Sequence, residues 1–145
     1  MVTQHEKNTS LLAHLSAFLG FVFPFGSILG PLIMWSANKD KSSFIEENSR
    51  RAVNFNLSYT LYIIILGMLM FPFAFGSFFN FIFHIDNLDH MEFPFEFGGL
   101  FGTLSIASII SVITVVKFIL IIVAAVKASR GETYKYPLVI NFVKH

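Results

Sequence analysis

Lys117 stands in a long apolar run, ten positions before Lys127, a separation of about 15 Å along a helix. If that run crosses a bilayer, Lys117 lies near the midplane. A lysine there costs about 2.5–3.5 kcal/mol on insertion scales, so it needs a partner or water. It could then hold an anion, pass a proton or meet a backbone carbonyl. The alternative is a helix shifted along its axis, with the Lys117 stem in the apolar layer and its ammonium at the interface. A second candidate is the interrupted stretch carrying Pro24, Gly26, Gly30 and Pro31. Broken helices expose carbonyls and helix ends that transporters use for ions and substrates, although a plain turn needs the same residues. A third set is His14, Ser16, Asn54, Asn56, Ser58 and Tyr59. Polar side chains in apolar segments hydrogen-bond between helices, for about 0.6 kcal/mol each, or line a path.

Other chemistries find little footing. His84, Asp86, Asp89 and His90 carry metal-binding atoms, but their spacing fits no familiar site and reads as a solvated acidic loop. The chain has no cysteine, which excludes disulfides, iron–sulfur clusters and zinc thiolates. It contains no glycine-rich phosphate loop, nucleophile elbow or zinc-protease helix. No acid and base residues share a plausible depth. The expectation is a protein that is not an enzyme and takes no cofactor or metal. Its basic residues are split between two short segments, which suits anionic lipid headgroups better than nucleic acid.

The elements that must position these residues belong in a membrane. The 145 residues are 54% hydrophobic and 13% charged, with mean hydropathy +0.67. A typical soluble domain is about 25% charged. Lys7 and the run 11–23 resemble a weak signal sequence, but no small-x-small site follows, so no cleavage is expected. Residues 11–35 read as a broken helical hairpin, split at Pro24-Phe25-Gly26 and again at Gly30-Pro31, with Thr9 or Ser10 capping its first helix; a hairpin puts Lys7 inside, whereas the alternative, a single crossing, puts it outside. Residues 36–51 form a polar loop and a helix start. Ser43 and Glu46 make a capping box there, and Glu46/Arg50 and Glu47/Arg51 are spaced for i,i+4 pairs.

Residues 52–72 are long enough to cross, with Pro72 as an end or a kink. The aromatic, acidic segment 73–97 reads as a hairpin or short helices at the outer interface. A second crossing follows at 98–127, with a tail at 128–145. Gly98, Gly102 and Ser105, and also Ala107 and Ser111, mark small-residue faces for helix contact, which suggests a homo-oligomer or a membrane-protein partner. No Lys or Arg lies between Arg51 and Lys117. The positive-inside rule therefore places 38–51 and the tail in the cytoplasm of a multi-pass inner- or plasma-membrane protein. Gly131 suits a helix stop, and Tyr134 and Tyr136 suit an interfacial anchor or a docking strip.

One set of stretches runs His14-Leu15-Ser16-Ala17, Pro24-Phe25-Gly26, Gly30-Pro31-Leu32-Ile33 with Trp35, Lys39-Asp40, and Ser43-Phe44-Ile45. Ala52-Val53-Asn54-Phe55-Asn56, Val126-Lys127-Ala128, Gly131-Glu132 and Tyr134-Lys135-Tyr136-Pro137-Leu138 complete it. In these residues, at its two ends, the chain resembles a family of small bacterial membrane proteins of uncharacterised function, grouped with the chloroplast inner-envelope import component of about twenty kilodaltons. The resemblance implies a four-helix-type membrane protein with a cytoplasmic tail, and a distant link to protein translocation that carries no catalytic residue. The 73–97 segment is longer and more aromatic than that pattern. The expected fold is all-α and polytopic: a broken N-terminal hairpin and two longer transmembrane helices. The expected function is a non-enzymatic subunit or helper of a membrane assembly. The alternative is a small-solute or ion conductor built around the hairpin and Lys117.

Overall fold

A computed structural model describes residues 2–23, 25–38, 40–84 and 93–144. The described residues form helices and irregular segments and contain no strand. The order is α1 (Gln4–Leu15), a 3-10 segment (Ser16–Phe21), α2 (Gly26–Asn38), α3 (Ser43–His84) and α4 (Phe93–Ser129). Two helices are long and apolar enough to cross a membrane, through Ser43–Phe79 of α3 and Gly98–Ser129 of α4. The chain divides into two compact units, residues 1–60 with 116–145, and residues 61–115.

The first unit holds the packed core. Among the described residues, every buried hydrophobic one falls in it, including Ala13, Ala52, Val53, Phe55, Ile121, Ala124, Ala128 and Tyr136. On α4 the buried positions Ile121, Ala124, Ala125 and Ala128 repeat at i, i+3, i+4 and i+7, which is one helical stripe. Helix α1 begins well before the expected cap. Thr3 accepts from the Glu6 backbone N–H while the Glu6 carboxylate accepts from the Thr3 N–H, a complete capping box. The run of polar residues from Gln4 to Asn8 had hidden this start, because helix propensity does not require apolar residues. The Ser42 hydroxyl also donates to Glu6, and with the Thr3 bonds this holds the Glu6 carboxyl down at about 2. Helix α3 starts at Ser43, within a residue of the expected position.

Helical structure stops at Phe21 and resumes at Gly26, and Phe25, just before α2, adopts φ +63. The second expected break is absent: Gly30 and Pro31 lie inside α2, both buried. The reason is close packing. A Cβ on Gly26 would collide with the Leu19 carbonyl, and one on Gly30 with the Ser16 carbonyl. These two glycines, four apart, form a smooth face that lets α2 fold back onto the backbone of the 3-10 segment, and Pro31 forfeits one hydrogen bond within that arrangement. With 12 and 13 residues, α1 and α2 are about 18–20 Å long, too short to cross about 30 Å of hydrocarbon alone. Phe18 of the 3-10 segment packs on Phe118 of α4, ring centroids 4.8 Å apart.

The second unit consists of the remaining parts of α3 and α4. Its side chains are largely exposed and apolar, Met68, Phe71, Phe78, Leu104 and Val112 among them. The helix does not end at Pro72, which stands inside α3. Residues 73–84 thus continue a helix, and 93–97 open α4, in place of the expected short outer elements. Proline forfeits one i→i−4 bond and crowds the carbonyl a turn back, yet helix flanks it on both sides here. Gly99 and Gly102 face α3, where an added Cβ would meet Ser77 and the Phe73 ring, while Gly98 meets nothing. The small-residue face expected from Gly98 and Gly102 is thus shifted, to Gly99 and Gly102.

The end of α4 follows the expected stop. Gly131 has φ +85, its N–H bonds to the Ala128 carbonyl, and the Glu132 N–H reaches back to the Lys127 carbonyl. That pair of bonds is a Schellman motif, which needs a residue free to adopt positive φ.

Candidate functional site

The site grows from His14, at the end of α1. Its ring is fully buried, and two groups distant in sequence use both nitrogens. Asn48 on α3 donates its amide to the Phe44 carbonyl one turn back, which turns its oxygen toward His14. His14 Nε2–H therefore donates to Asn48 Oδ1 at 3.1 Å, and His14 Nδ1 accepts from the Tyr136 hydroxyl at 3.0 Å. The network defines one neutral tautomer. Burial, first, pushes the His14 pKa down to about 4, and Arg51 adds repulsion, while the bond to Asn48 acts the other way. Burial likewise pushes the Tyr136 phenol upward, so it stays a donor at any physiological pH.

Tyr136 is therefore no interfacial anchor. Its ring stacks on Phe55 of α3, with centroids 3.9 Å apart and planes 14° from parallel. The apolar ring and its one polar handle are both satisfied inside the core, which is where such a residue is most stabilising. Tyr134 meets Tyr136 edge-on and sits under the Lys127 ammonium, 5.8 Å from it.

Beyond Tyr136 the tail turns at Leu138, with φ +52, and is bonded to α3. Asn54 donates to the Val143 carbonyl at 3.0 Å and accepts from the Val143 N–H at 2.7 Å. One turn further, Ser58 accepts from the Ile140 N–H at 2.9 Å. One amide side chain thus satisfies both main-chain groups of a residue in the extended tail, and Asn54 and Ser58 lie on the same helix face for it. Asn54→Ala should loosen residues 139–143 by about 1–2 kcal/mol. Faster amide exchange at Val143 with unchanged exchange in α4 would be the signature.

The structure brings His14, Asn54, Tyr134 and Tyr136 into one unit around α3. Asn56 is buried but donates only to the Ala52 carbonyl of its own helix, and its oxygen has no partner. Gly26, Gly30 and Pro31 pack the hairpin. Pro24 lies outside the described residues, as do Asp86, Asp89 and His90; nothing of the His84 side chain is described either. Lys117 is half-buried on α4 beside Phe118, and no hydrogen bond or ion pair joins it to any described residue. Sequence reading missed Asn48, and it named Phe55 only within the family resemblance, with no role of its own. The only signal for Asn48 was its place four residues after Phe44, and nothing in the chain's order linked either residue to Tyr136.

Taken together, the described residues form a helical protein with two helices long and apolar enough to cross a membrane and a tail docked on its own core. The family model of the magnetosome magnetite crystal formation proteins matches residues 5–143, and the chain belongs to that family. No curated protein and no solved structure matches it. The match bears out a family of small membrane proteins and shows no similarity to the chloroplast import component.

Proposed function

We propose that this chain is a non-enzymatic, multi-pass membrane component of magnetite crystal formation, acting by assembly with itself or with another membrane protein. The observation that carries this is the family match across nearly the whole chain, 5–143. The chemistry of the site supports the non-enzymatic part. The most deeply buried titratable group, His14, uses both ring nitrogens to hold α3 and the tail together, which is a structural role. Exposed apolar side chains along α3 and α4 supply a surface for lipid or for a partner helix.

By the positive-inside rule, the basic residues of 38–51 and of the tail favour the cytoplasmic side for both. Lys7 of α1 packs beside Gly131 at the end of α4, which suits an N-terminus on that side too. Translocation and conduction gain no support. The family is described by crystal formation, and Gly26 and Gly30 serve close packing.

The test is made in magnetite-forming cells. Removing the chain should change the size distribution of the crystals seen by electron microscopy, and the full chain should restore it. A His14→Ala chain, which reaches the membrane without a seated tail, should restore it only in part. Crystals of unchanged size after removal would sink the reading.

A further inference from the structure

We infer that the cleft between α3 and the docked tail is a binding site for a phosphate group, carried by a lipid headgroup or free as phosphate. Its volume is about 250 Å³, and its lining includes Arg50, Arg51, Asn54, Lys135 and Asn141. Three cations thus face one carboxylate, Glu47, in the same wall. Glu47 does not neutralise the cleft. Its Oε1 accepts from both Nε and Nη2 of Arg51, at 3.1 and 2.5 Å, which orients the guanidinium and leaves Nη1 outside that pair. A planar guanidinium held in place this way is suited to phosphate oxygens.

The backbone at Lys135 is held in place through its neighbour. Tyr136, next in the chain, is buried against Phe55 and bonded to His14, so the backbone at 135 cannot drift from the arginines. The amides of Asn54 and Asn141 add neutral polar groups to the wall. The volume lies below the range of about 300–1,000 Å³ usual for drug-sized ligands, which favours a small anion or a headgroup. Position agrees with this. Arg50 and Arg51 are the last charged residues of α3 before its apolar run, at the depth where lipid phosphates lie if α3 crosses the bilayer.

The test uses the full chain in a neutral detergent, titrated by calorimetry with short-chain phosphatidylglycerol, short-chain phosphatidylcholine and inorganic phosphate. Binding of phosphatidylglycerol without inorganic phosphate assigns the site to a headgroup. Comparable binding of inorganic phosphate assigns it to the free anion. Either anion should bind about tenfold more weakly to Arg51→Gln/Lys135→Gln, since two charge-assisted bonds are removed. Lys135→Gln alone, on an exposed side chain with no hydrogen bond or ion pair to any described residue, should lose several-fold with an unchanged circular dichroism spectrum. Lys41→Gln/Arg130→Gln removes the same charge outside the cleft and should bind as the wild type does. Equal loss in the two double variants would reduce the effect to general surface charge and overturn the site. So would the absence of anion binding to the wild type.

Discussion

His14→Ala should lower the stability of the chain by about 3–5 kcal/mol, the largest effect expected of any single polar substitution here. Two terms add. The fully buried ring leaves a cavity, and Asn48 Oδ1 and the Tyr136 hydroxyl lose their partner together. A buried polar group left unmatched costs about 1–3 kcal/mol, and neither atom can turn to water without moving α3 or the tail. Tyr136→Phe should cost less, because the ring keeps its stack on Phe55 and only Nδ1 is left without a donor. Thermal unfolding and SDS titration of the purified chain measure both. Trypsin cleavage at Lys135 reports tail release separately. A His14→Ala chain with the wild-type midpoint would mean that the network is not formed.

The same residue sets a pH dependence. In the folded chain the His14 pKa is depressed to about 4, from an ordinary value of 6.5. Between those limits the unfolded chain binds a proton that the folded chain refuses. The stabilisation is therefore complete above about pH 6.5 and is lost as pH falls through about 4, amounting to about 3 kcal/mol. The fall should be absent from His14→Ala. A wild-type midpoint that stays level from pH 7 to pH 4 would contradict the buried neutral histidine.

Gly30→Ala should destabilise the chain by about 2–3 kcal/mol, although alanine is the better helix former. The added Cβ would land on the Ser16 carbonyl, and a backbone atom cannot rotate away as a side chain can. Gly67→Ala is the internal control, because its Cβ would meet nothing within 4 Å. It should be neutral or slightly stabilising through helix propensity alone. Unfolding midpoints of the two variants separate the explanations. If they shift alike, the backbone of α2 does not rest on the 3-10 segment.

Much of this protein could be read from residue order, and the legible part shares one physical basis. Hydropathy, length and charge act along the chain, so the two apolar helices, the break near Gly26, the Glu47–Arg51 pair and the stop at Gly131 all show locally. Where two local signals compete, the reading slips. Pro31 and Pro72 look like breaks, yet both sit inside helices, and at Pro31 close packing outweighs the lost hydrogen bond. The polar start of α1 hides behind residues that suggest a loop, although Thr3 and Glu6 carry its cap.

The site was only half visible in the same way. His14, Asn54 and Tyr136 stood out as polar or aromatic residues in unusual company, but their partners did not. His14 meets Tyr136 across 122 positions of chain, and Asn54 meets Val143 across 89. Periodicity and spacing carry no information over such separations. Residue order by itself determined two helices apolar enough to cross a membrane and two basic segments, at 38–51 and after residue 126. Tertiary structure alone decided that Tyr136 is a core residue, that the tail is bonded to α3, and that Arg50, Arg51 and Lys135 line one cleft. The physical reason is that burial and hydrogen bonding reward whichever groups the packed helices bring together, however far apart the chain places them.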